Sequence, residues 1–199
     1  EGGSIVSSIG NDGYFKNLAS YNTGKNENGF AASFLMSRTA GNGYVDGTEF
    51  EGFNYFVGLG WDKGDHNFQF MLTGAPQTHN QRTTSFFNMA NIGDYLKYGK
   101  KYNYNHGYLN GEEFNWRKNF YHKPVSSFNW SWDINETSSL TTSAYVSFGR
   151  GGGTGDIGRM GGNFASSSNF RNPDTGLVEW DEIVRANSGL GGNFSSGYS

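Results

Sequence analysis

The 199-residue chain contains no cysteine, only three prolines and few charged residues. Without cysteine it has no disulfide, no Cys-ligated zinc and no thiol nucleophile. Its net charge of −3 argues against nucleic acid as a partner, because neutralising phosphates needs a basic face. No apolar run approaches the roughly 20 residues that a membrane helix requires. Helical membrane proteins are therefore excluded as well.

Glycine and aromatic residues are abundant instead, and apolar and polar side chains alternate along several short segments. The chain has 31 glycines and an aromatic fraction of 17%. From Phe53 to Trp61 every second side chain is large and apolar. Because successive side chains of a β-strand point to opposite faces, this alternation predicts strands with one apolar face. Similar patterns predict strands at 30–36, 68–73, 127–133 and 140–148, with weaker signals at 4–9 and 14–21.

The connections between these strands alternate between short polar turns and long excursions. Short turns are predicted at 23–28, 62–65 and 135–139, and long loops at 39–51, 75–123 and from 149 onward, with a tight turn at 10–13 as the exception. The pattern predicts an all-β fold, an antiparallel up-and-down meander with one plain end and one elaborated end.

The longest connection predicts some structure of its own. A loop that runs from 75 to 123 is much longer than an unstructured loop of a compact domain. A few short helices are therefore predicted, one within 85–102 and one at 177–186, the second with Asp174 or Thr175 as its N-cap.

Two architectures accommodate such strands: a soluble β-sandwich with the apolar face inward, and an outer-membrane barrel with that face toward lipid. Three features favour the barrel. The second face is rich in Ser, Asn, Gly and Thr and carries little of the charge that protects soluble sheets from edge pairing. Trp61, Trp130 and Trp132 lie toward strand ends near short turns, as membrane-interface aromatics do. Short turns at one end and long loops at the other are typical of bacterial barrels.

Four dispersed segments resemble one family. They are SRTAGNGYVDGTEFEGFNYFVGLGW (37–61), TGAPQTHNQR (73–82), YLNGEEFNWRKNFYHKPVSSFNWSW (108–132) and GRGGGTGDIGR (149–159). In that order they resemble the early barrel strands and loops of TonB-dependent outer-membrane transporters of the Bacteroidetes type. The resemblance covers about residues 2 to 190.

The resemblance implies a 22-stranded barrel filled by a plug domain, which imports a scarce ligand with energy from the TonB system. This chain supplies about seven strands and has no segment resembling the plug, so we expect residues 1–199 to be a partial barrel of a longer polypeptide. An open membrane sheet would leave two unpaired edges in lipid. The expected location is the bacterial outer membrane, with lipid, the TonB system through the missing plug and a surface lipoprotein as partners.

Gly153, Gly155 and Gly158 form a G-x-G-x-x-G motif after a predicted strand. Dinucleotide binding requires a buried parallel strand before this motif and a helix that opens at the third glycine. The preceding strand alternates and the following residues do not predict a helix, so we reject dinucleotide binding. We expect the glycines to let a loop fold back through positive φ angles.

Acidic residues cluster in two loop segments. The first contains Asp46, Glu49 and Glu51, and the second contains Glu112 and Glu113. Neither spacing matches a catalytic or EF-hand pattern, so solvated loop charge is the favoured interpretation; calcium in these loops stays open as the weaker one. The histidines show no metal-ligand spacing and are interpreted as loop or turn residues: His66, His79, His106 and His122. No cofactor, no metal site and no catalytic residue is predicted.

The loop residues 95–117 interleave aromatic rings with amide and basic side chains. Such a surface suits a sugar or a peptide, because rings offer an apolar platform and amides both donate and accept hydrogen bonds. Packing of the loop on itself is the alternative. The predicted ligand-binding residues are Tyr44, Tyr95, Tyr98, Trp116 and Arg117.

Three functions follow from these observations. The leading hypothesis is ligand capture and energised import as part of a TonB-dependent receptor, without catalysis. A soluble or surface-attached β-sheet binding module, glycan-directed, is the alternative. A glycoside-active enzyme that uses Glu49 or Glu113 is a weaker third. The sequence does not name the transported ligand.

Overall fold

The computed structural model describes residues 1–82 and 90–198. The chain forms two compact units. The first comprises residues 1–41, 51–78 and 120–151, and the second comprises residues 42–50, 79–119 and 152–199. Each unit is built from discontinuous stretches, because the chain leaves the first unit and returns to it twice.

Most of the regular structure in the described residues is β-strand, with two short α-helices and one turn of 3-10 helix at Ser168–Phe170. The strands are β1 (Gly2–Ile9), β2 (Phe15–Asn22), β3 (Phe30–Gly41), β4 (Phe50–Lys63), β5 (His66–Gly74), β6 (Gln77–Asn80), β7 (His106–Leu109), β8 (Glu112–Asn115), β9 (Lys118–His122), β10 (Val125–Asn135), β11 (Ser138–Ser147), β12 (Arg150–Gly153) and β13 (Val178–Glu179); the helices are α1 (Ile92–Tyr98) and α2 (Trp180–Asn187). The predicted all-β class is confirmed.

In the described part of the chain the main sheet has ten strands. Seven of them follow one another in the order β1-β2-β3-β4-β5-β10-β11, so consecutive long strands are neighbours. The registered pairs on this path are antiparallel. The predicted up-and-down meander of about seven strands is therefore present. Three short strands pair off this path: β6 with β4 and β9, and β12 with β9.

The short connections also lie where they were predicted. At 10–14 the amide of Gly10 donates to the carbonyl of Tyr14 at 2.9 Å, and the amide of Tyr14 donates to Asn11 at 3.1 Å. Asp12 and Gly13 have φ angles of 55° and 68°. Because this left-handed region is open to Gly and tolerated by Asp, the local sequence explains the tight turn.

The second unit has its own apolar core. Phe170, Val178, Trp180, Ile183 and Phe194 are buried together. The strands β7 and β8 form a three-stranded sheet with β13, in the order β13-β7-β8. In α2, Trp180 and Ile183 are buried at a spacing of three residues, which places both on the same helix face.

A buried arginine stabilises the loops of this unit. The Arg171 side chain is 6% exposed, and its guanidinium donates to the carbonyls of Ser166, Gly176 and Tyr104. It also donates to the hydroxyl of Tyr102 at 3.4 Å, and it lies 3.5 Å from the ring centroid of Tyr104. Backbone carbonyls therefore satisfy a charge that would otherwise be costly to bury.

Both predicted helices exist, but the predicted cap of the second is wrong. The N-cap of α1 is Asn91, whose side chain accepts from the amide of Asp94 at 3.0 Å while the Asp94 carboxylate accepts from the amide of Asn91. The predicted range 85–102 begins outside the described residues. α2 begins at Trp180 after Glu179, which makes no side-chain cap bond. Asp174 and Thr175 lie upstream, in a turn where their backbone amides donate hydrogen bonds to the side-chain oxygen of Asn172.

The interpretation of the histidines as loop residues is also wrong. His66 begins β5, His79 lies in β6, His106 begins β7 and His122 ends β9. His79, His106 and His122 lie in strands of only four or five residues, whose alternation is too short to register in the sequence. His66 lies just before the strand that alternation predicts from residue 68.

Candidate functional site

One face of the main sheet carries the large apolar side chains. Leu59, Phe70, Phe128 and Ala144 form one cross-strand row, since each pairs with the next across β4, β5, β10 and β11. The next row contains Trp61, Phe68, Trp130 and Thr142. The opposite face is polar, with a row of Gly60, Gln69, Asn129 and Ser143. The predicted alternation is thus confirmed across four strands.

The apolar face has almost no cover within its own unit. Among the described residues of the first unit, Ala32 is the only buried hydrophobic residue. The exposed large apolar side chains on this face include Ile5, Tyr21, Phe34, Met36, Phe53, Trp61, Phe70, Phe128, Leu140 and Val146. A surface of this extent normally marks an interaction site.

Charge is confined to the ends of the apolar face. Along β4 the side chains that share this face run from Phe53 through Val57 to Trp61, with Glu51 before them and Lys63 after them. The eight steps from Phe53 to Trp61, at about 3.3 Å each, give an apolar band of roughly 26 Å along the strand. Transmembrane β-strands need about 9 to 11 residues, so the band has the length of one membrane crossing.

Aromatic rings gather at the short-turn end of the band. The rings of Phe68 and Trp130 are stacked with centroids 6.4 Å apart, and those of Trp130 and Trp132 with centroids 6.2 Å apart. The indole N–H of Trp61 donates to the carbonyl of Asn28 in the turn before β3 at 3.1 Å. The three predicted interface tryptophans therefore lie on one face and at one end of the sheet. Such rings pair an apolar body with a polar edge.

The second unit contains an aromatic pocket of about 510 Å³. Three aromatic side chains line it: Phe114 in β8, Trp116 directly after β8, and Trp180 at the start of α2. The glycine-rich segment closes another side through residues 154–160. Ligand pockets commonly enclose roughly 300 to 1,000 Å³ and combine apolar walls with a few polar groups. Here those polar groups are Thr154, Asp156, Arg159, Asn163 and Asn187.

Trp116, one of the predicted ligand residues, lines this pocket, and the predicted Arg117 lies beside it. The Arg117 guanidinium carbon lies 5.2 Å from the Trp116 ring centroid. Burial raises the pKa of Asp156, while its hydrogen bond from the amide of Ala165 and the nearby Arg117 guanidinium act in the opposite direction. The pocket therefore offers aromatic walls with one carboxylate and its balancing cation.

The glycine motif belongs to this pocket and does not act as predicted. Gly155 and Gly158 are lining residues, and Gly153 ends β12. None of these three glycines has a positive φ angle. At Gly155 an added Cβ would lie 3.1 Å from Nη1 of Arg117, so that side chain would have to shift by a few tenths of an ångström. The residues that directly follow Gly158 form no helix, as the sequence predicted.

The other predicted ligand residues make different contacts. The Tyr98 hydroxyl donates to the carbonyl of Pro173 at 3.0 Å, and its ring centroid is 4.9 Å from that of Tyr102. Tyr95 accepts a hydrogen bond from Arg82. Tyr44 is exposed, with the Lys101 ammonium 5.4 Å from its ring centroid. No ring contact between described residues links Tyr44, Tyr95 or Tyr98 to Trp116.

The interleaved amides hold the loop backbone. The side-chain amide of Asn103 donates to the carbonyl of Asp46 at 2.9 Å, and that of Asn115 donates to Gly47 at 2.8 Å. Asn105 and Asn115 both donate to the carbonyl of Gln81 at 3.0 Å. These buried side chains supply the hydrogen bonds that water would otherwise make to the backbone carbonyls. In this structure they therefore hold the loop packed on itself.

The two acidic segments meet, which the sequence did not predict. Burial raises the pKa of Glu113, and a hydrogen bond with Glu49 raises it further. Asn80 donates to the Glu49 carboxylate from the other side. Both ring nitrogens of the nearby His106 are buried without a hydrogen-bond partner in the described part of the chain. Glu49 and Glu113 therefore lie close together, and Glu113 is exposed to solvent.

Sequence reasoning missed the walls that come from the end of the chain. Trp180 was assigned only to a helix, and Asp156 only to the long loop from residue 149 onward. The spacing of Trp180 and Ile183 in α2 was the one available signal for a buried face there.

Within residues 1–82 and 90–198, no group of three or more His, Asp or Glu residues is arranged to hold a metal ion. The helices found in the same ranges are too short and too polar to span a membrane. Compared with known proteins, this chain matches no family model, no curated protein and no solved structure.

Proposed function

We propose that this chain forms part of the wall and the extracellular loops of an outer-membrane receptor of the TonB-dependent type. Its main sheet lies against lipid, and its loops capture a ligand for import. The loops bind without catalysing a reaction. The other strands and the plug come from the longer polypeptide of which this chain is a part.

The observation that carries this proposal is the apolar face of the main sheet. A soluble sheet buries such a face under a second layer, and in the described part of the first unit only Ala32 is a buried hydrophobic residue. The band of about nine residues has charges only at its ends and aromatic rings gathered at one of them, which supports contact with a bilayer.

The polar face supports the same assignment. Its side chains hydrogen-bond to one another across strands: Ser4 with Ser20 at 2.8 Å, and Asn54 with Ser37 at 3.1 Å. In a barrel such a face lines the polar interior.

The aromatic pocket of the second unit supports ligand capture. Trp116 and Trp180 supply flat apolar surfaces, and Asp156 supplies a hydrogen-bond acceptor. A soluble binding module would use the same pocket, so this pocket also favours the second candidate function. The two candidates differ in what covers the apolar face.

Fractionation of the source cells tests the proposal. An antibody against residues 100–120 should detect a polypeptide much larger than this chain in the detergent-extracted outer membrane. A soluble polypeptide of about this length would contradict the membrane assignment, and the apolar face would then require a protein partner.

A further inference from the structure

A groove lies just beyond the charge-free band, at the end of the sheet that carries the long loops. Its volume is about 320 Å³, and it lies entirely within the first unit. Its lining residues are Glu51, Phe53, Pro76, Gln77, Thr78, Phe120, Tyr121, His122 and Arg150.

The groove is continuous with the apolar face. Phe53 is the last apolar side chain of the band on β4, and Glu51 is the next residue on the same face. His122 reaches the band as well, since its Nε2 lies 2.8 Å from the hydroxyl of Tyr55. A molecule whose apolar part lies along the band would therefore place its polar end in the groove.

Cations outnumber carboxylates at this position. Arg150 is exposed and lines the groove, and the Lys123 side chain runs beside Gly149, 3.6 Å from an added Cβ there. The Lys123 ammonium lies 5.8 Å from the ring centroid of Tyr121, another lining residue. Neither Lys123 nor Arg150 forms an ion pair with a carboxylate among the described residues.

A third cation has a partner that limits its contribution. Arg38 forms an ion pair with Glu51 at 2.6 Å, and its guanidinium carbon lies 5.8 Å from the Phe53 ring centroid. Glu51 is thus neutralised within the sheet, and the charges of Lys123 and Arg150 remain for an anion.

We propose that this groove binds the phosphate-bearing headgroup of an amphiphile whose acyl chains lie on the apolar band. The aromatic walls hold the region between headgroup and chains, and Lys123 and Arg150 contact the phosphate. The positive charges of Lys123 and Arg150 favour an anionic headgroup over a zwitterionic one, because a zwitterionic headgroup brings a cation of its own to the same position.

This inference rests on the membrane assignment of the proposed function but not on uptake of any ligand. The experiment below separates the two. Binding to lipid of any kind tests the membrane assignment, and preference for an anionic headgroup tests the groove.

Calorimetric titration of the detergent-solubilised full-length protein that contains this chain, with dihexanoyl phosphatidylglycerol and dihexanoyl phosphatidylcholine, is the direct test. Phosphatidylglycerol should bind more tightly than phosphatidylcholine. Each of the variants Arg150→Gln and Lys123→Gln should weaken the binding of phosphatidylglycerol about fivefold, and the double variant should weaken it roughly 25-fold. Arg150→Lys keeps the charge and should retain the preference, which separates charge loss from misfolding.

Lys16→Gln is the matched control, because Lys16 lies near the same end of the sheet but on the opposite face, paired with Ser8 and Thr39. It should leave the preference unchanged. Equal affinity for both lipids, or an anionic preference that survives in the double variant, overturns the groove proposal. If inorganic phosphate bound as tightly as phosphatidylglycerol, the groove would be assigned to free phosphate instead. Binding of neither lipid would contradict the membrane assignment too.

Discussion

The indole N–H of Trp130 donates to Nδ1 of His66 at 3.2 Å. This bond joins β10 to β5 on the apolar face, near the short turns. The two ring centroids are 5.9 Å apart, and the His66 ring also lies 5.5 Å from Trp132. Because Nδ1 accepts this bond, the neutral imidazole carries its proton on Nε2. His66 is thus the polar centre of the aromatic cluster.

The first prediction concerns this acceptor. His66→Leu leaves the half-buried Trp130 donor without a partner, whereas His66→Asn offers a side-chain oxygen near the same position. We expect the leucine variant to be less stable than the asparagine variant by about 1 kcal/mol, which is typical of one lost hydrogen bond. Urea unfolding of both variants, followed by tryptophan fluorescence, measures the difference. Equal stabilities would show that the bond contributes nothing.

The second prediction compares neighbouring residues on opposite faces. Phe70→Arg places a charge within the apolar band, and Gln69→Arg places the same charge on the polar face. If the band contacts lipid, Phe70→Arg should lower the free energy of unfolding in vesicles by about 2 to 4 kcal/mol.

Gln69→Arg serves as the control for this pair and should cost much less. Both variants are measured by urea unfolding of the protein folded into the same phosphatidylcholine vesicles. A larger cost at Gln69 would mean that the apolar face is not the one in contact with lipid.

The third prediction concerns packing in the second unit. An added Cβ at Gly107 would lie 2.1 Å from the carbonyl oxygen of Val178 and 2.8 Å from the ring of Trp180. Gly107→Ala must therefore separate β7 from β13, and overpacking of this kind typically costs about 1 to 3 kcal/mol. Thermal unfolding of the variant measures the loss.

Gly158→Ala is its control, since a Cβ there meets nothing within 4 Å. We expect a change within about 0.5 kcal/mol, as for other surface substitutions. If both variants lost the same stability, the close approach at Gly107 would not be the cause.

The fourth prediction is a pH dependence. Burial raises the pKa of Tyr102 from 10.0 to about 12, against the lowering effect of the Arg171 guanidinium. The folded state therefore holds the phenolic proton more tightly than the unfolded chain does. The resulting stabilisation is fully present below pH 10 and is lost as the pH rises toward 12.

Tyr102→Phe removes this titration together with the hydrogen bond to the carbonyl of Gly176. The wild-type protein should start more stable than the variant, and the difference should shrink between pH 10 and pH 12. Unfolding curves at closely spaced pH values measure it. A difference that stayed constant over this interval would contradict the raised pKa.

Local backbone geometry explains why the sheet could be predicted from the sequence. Successive side chains of a strand point to opposite faces, so the alternation from Phe53 to Trp61 determines which residues share a face before any contact is known. Short polar turns then determine which strands are neighbours, as the turn at Asp12 and Gly13 does for β1 and β2. These two local features determine the pairs joined by short turns: β1 with β2, β2 with β3, β4 with β5, and β10 with β11. The pairs β3 with β4 and β5 with β10 form across the long connections.

The candidate sites depended on contacts between residues far apart in the chain. Trp116 and Arg117 were predicted individually, but only the tertiary structure brings them to Asp156 and Trp180. The same holds for Glu49 and Glu113, whose two segments carry no signal that they meet. The sequence by itself determined the two faces of the sheet and the strand pairs joined by short turns, because these follow from local periodicity and local turn residues. The structure decided which loop residues form a pocket, because long-range packing has no periodicity to reveal it.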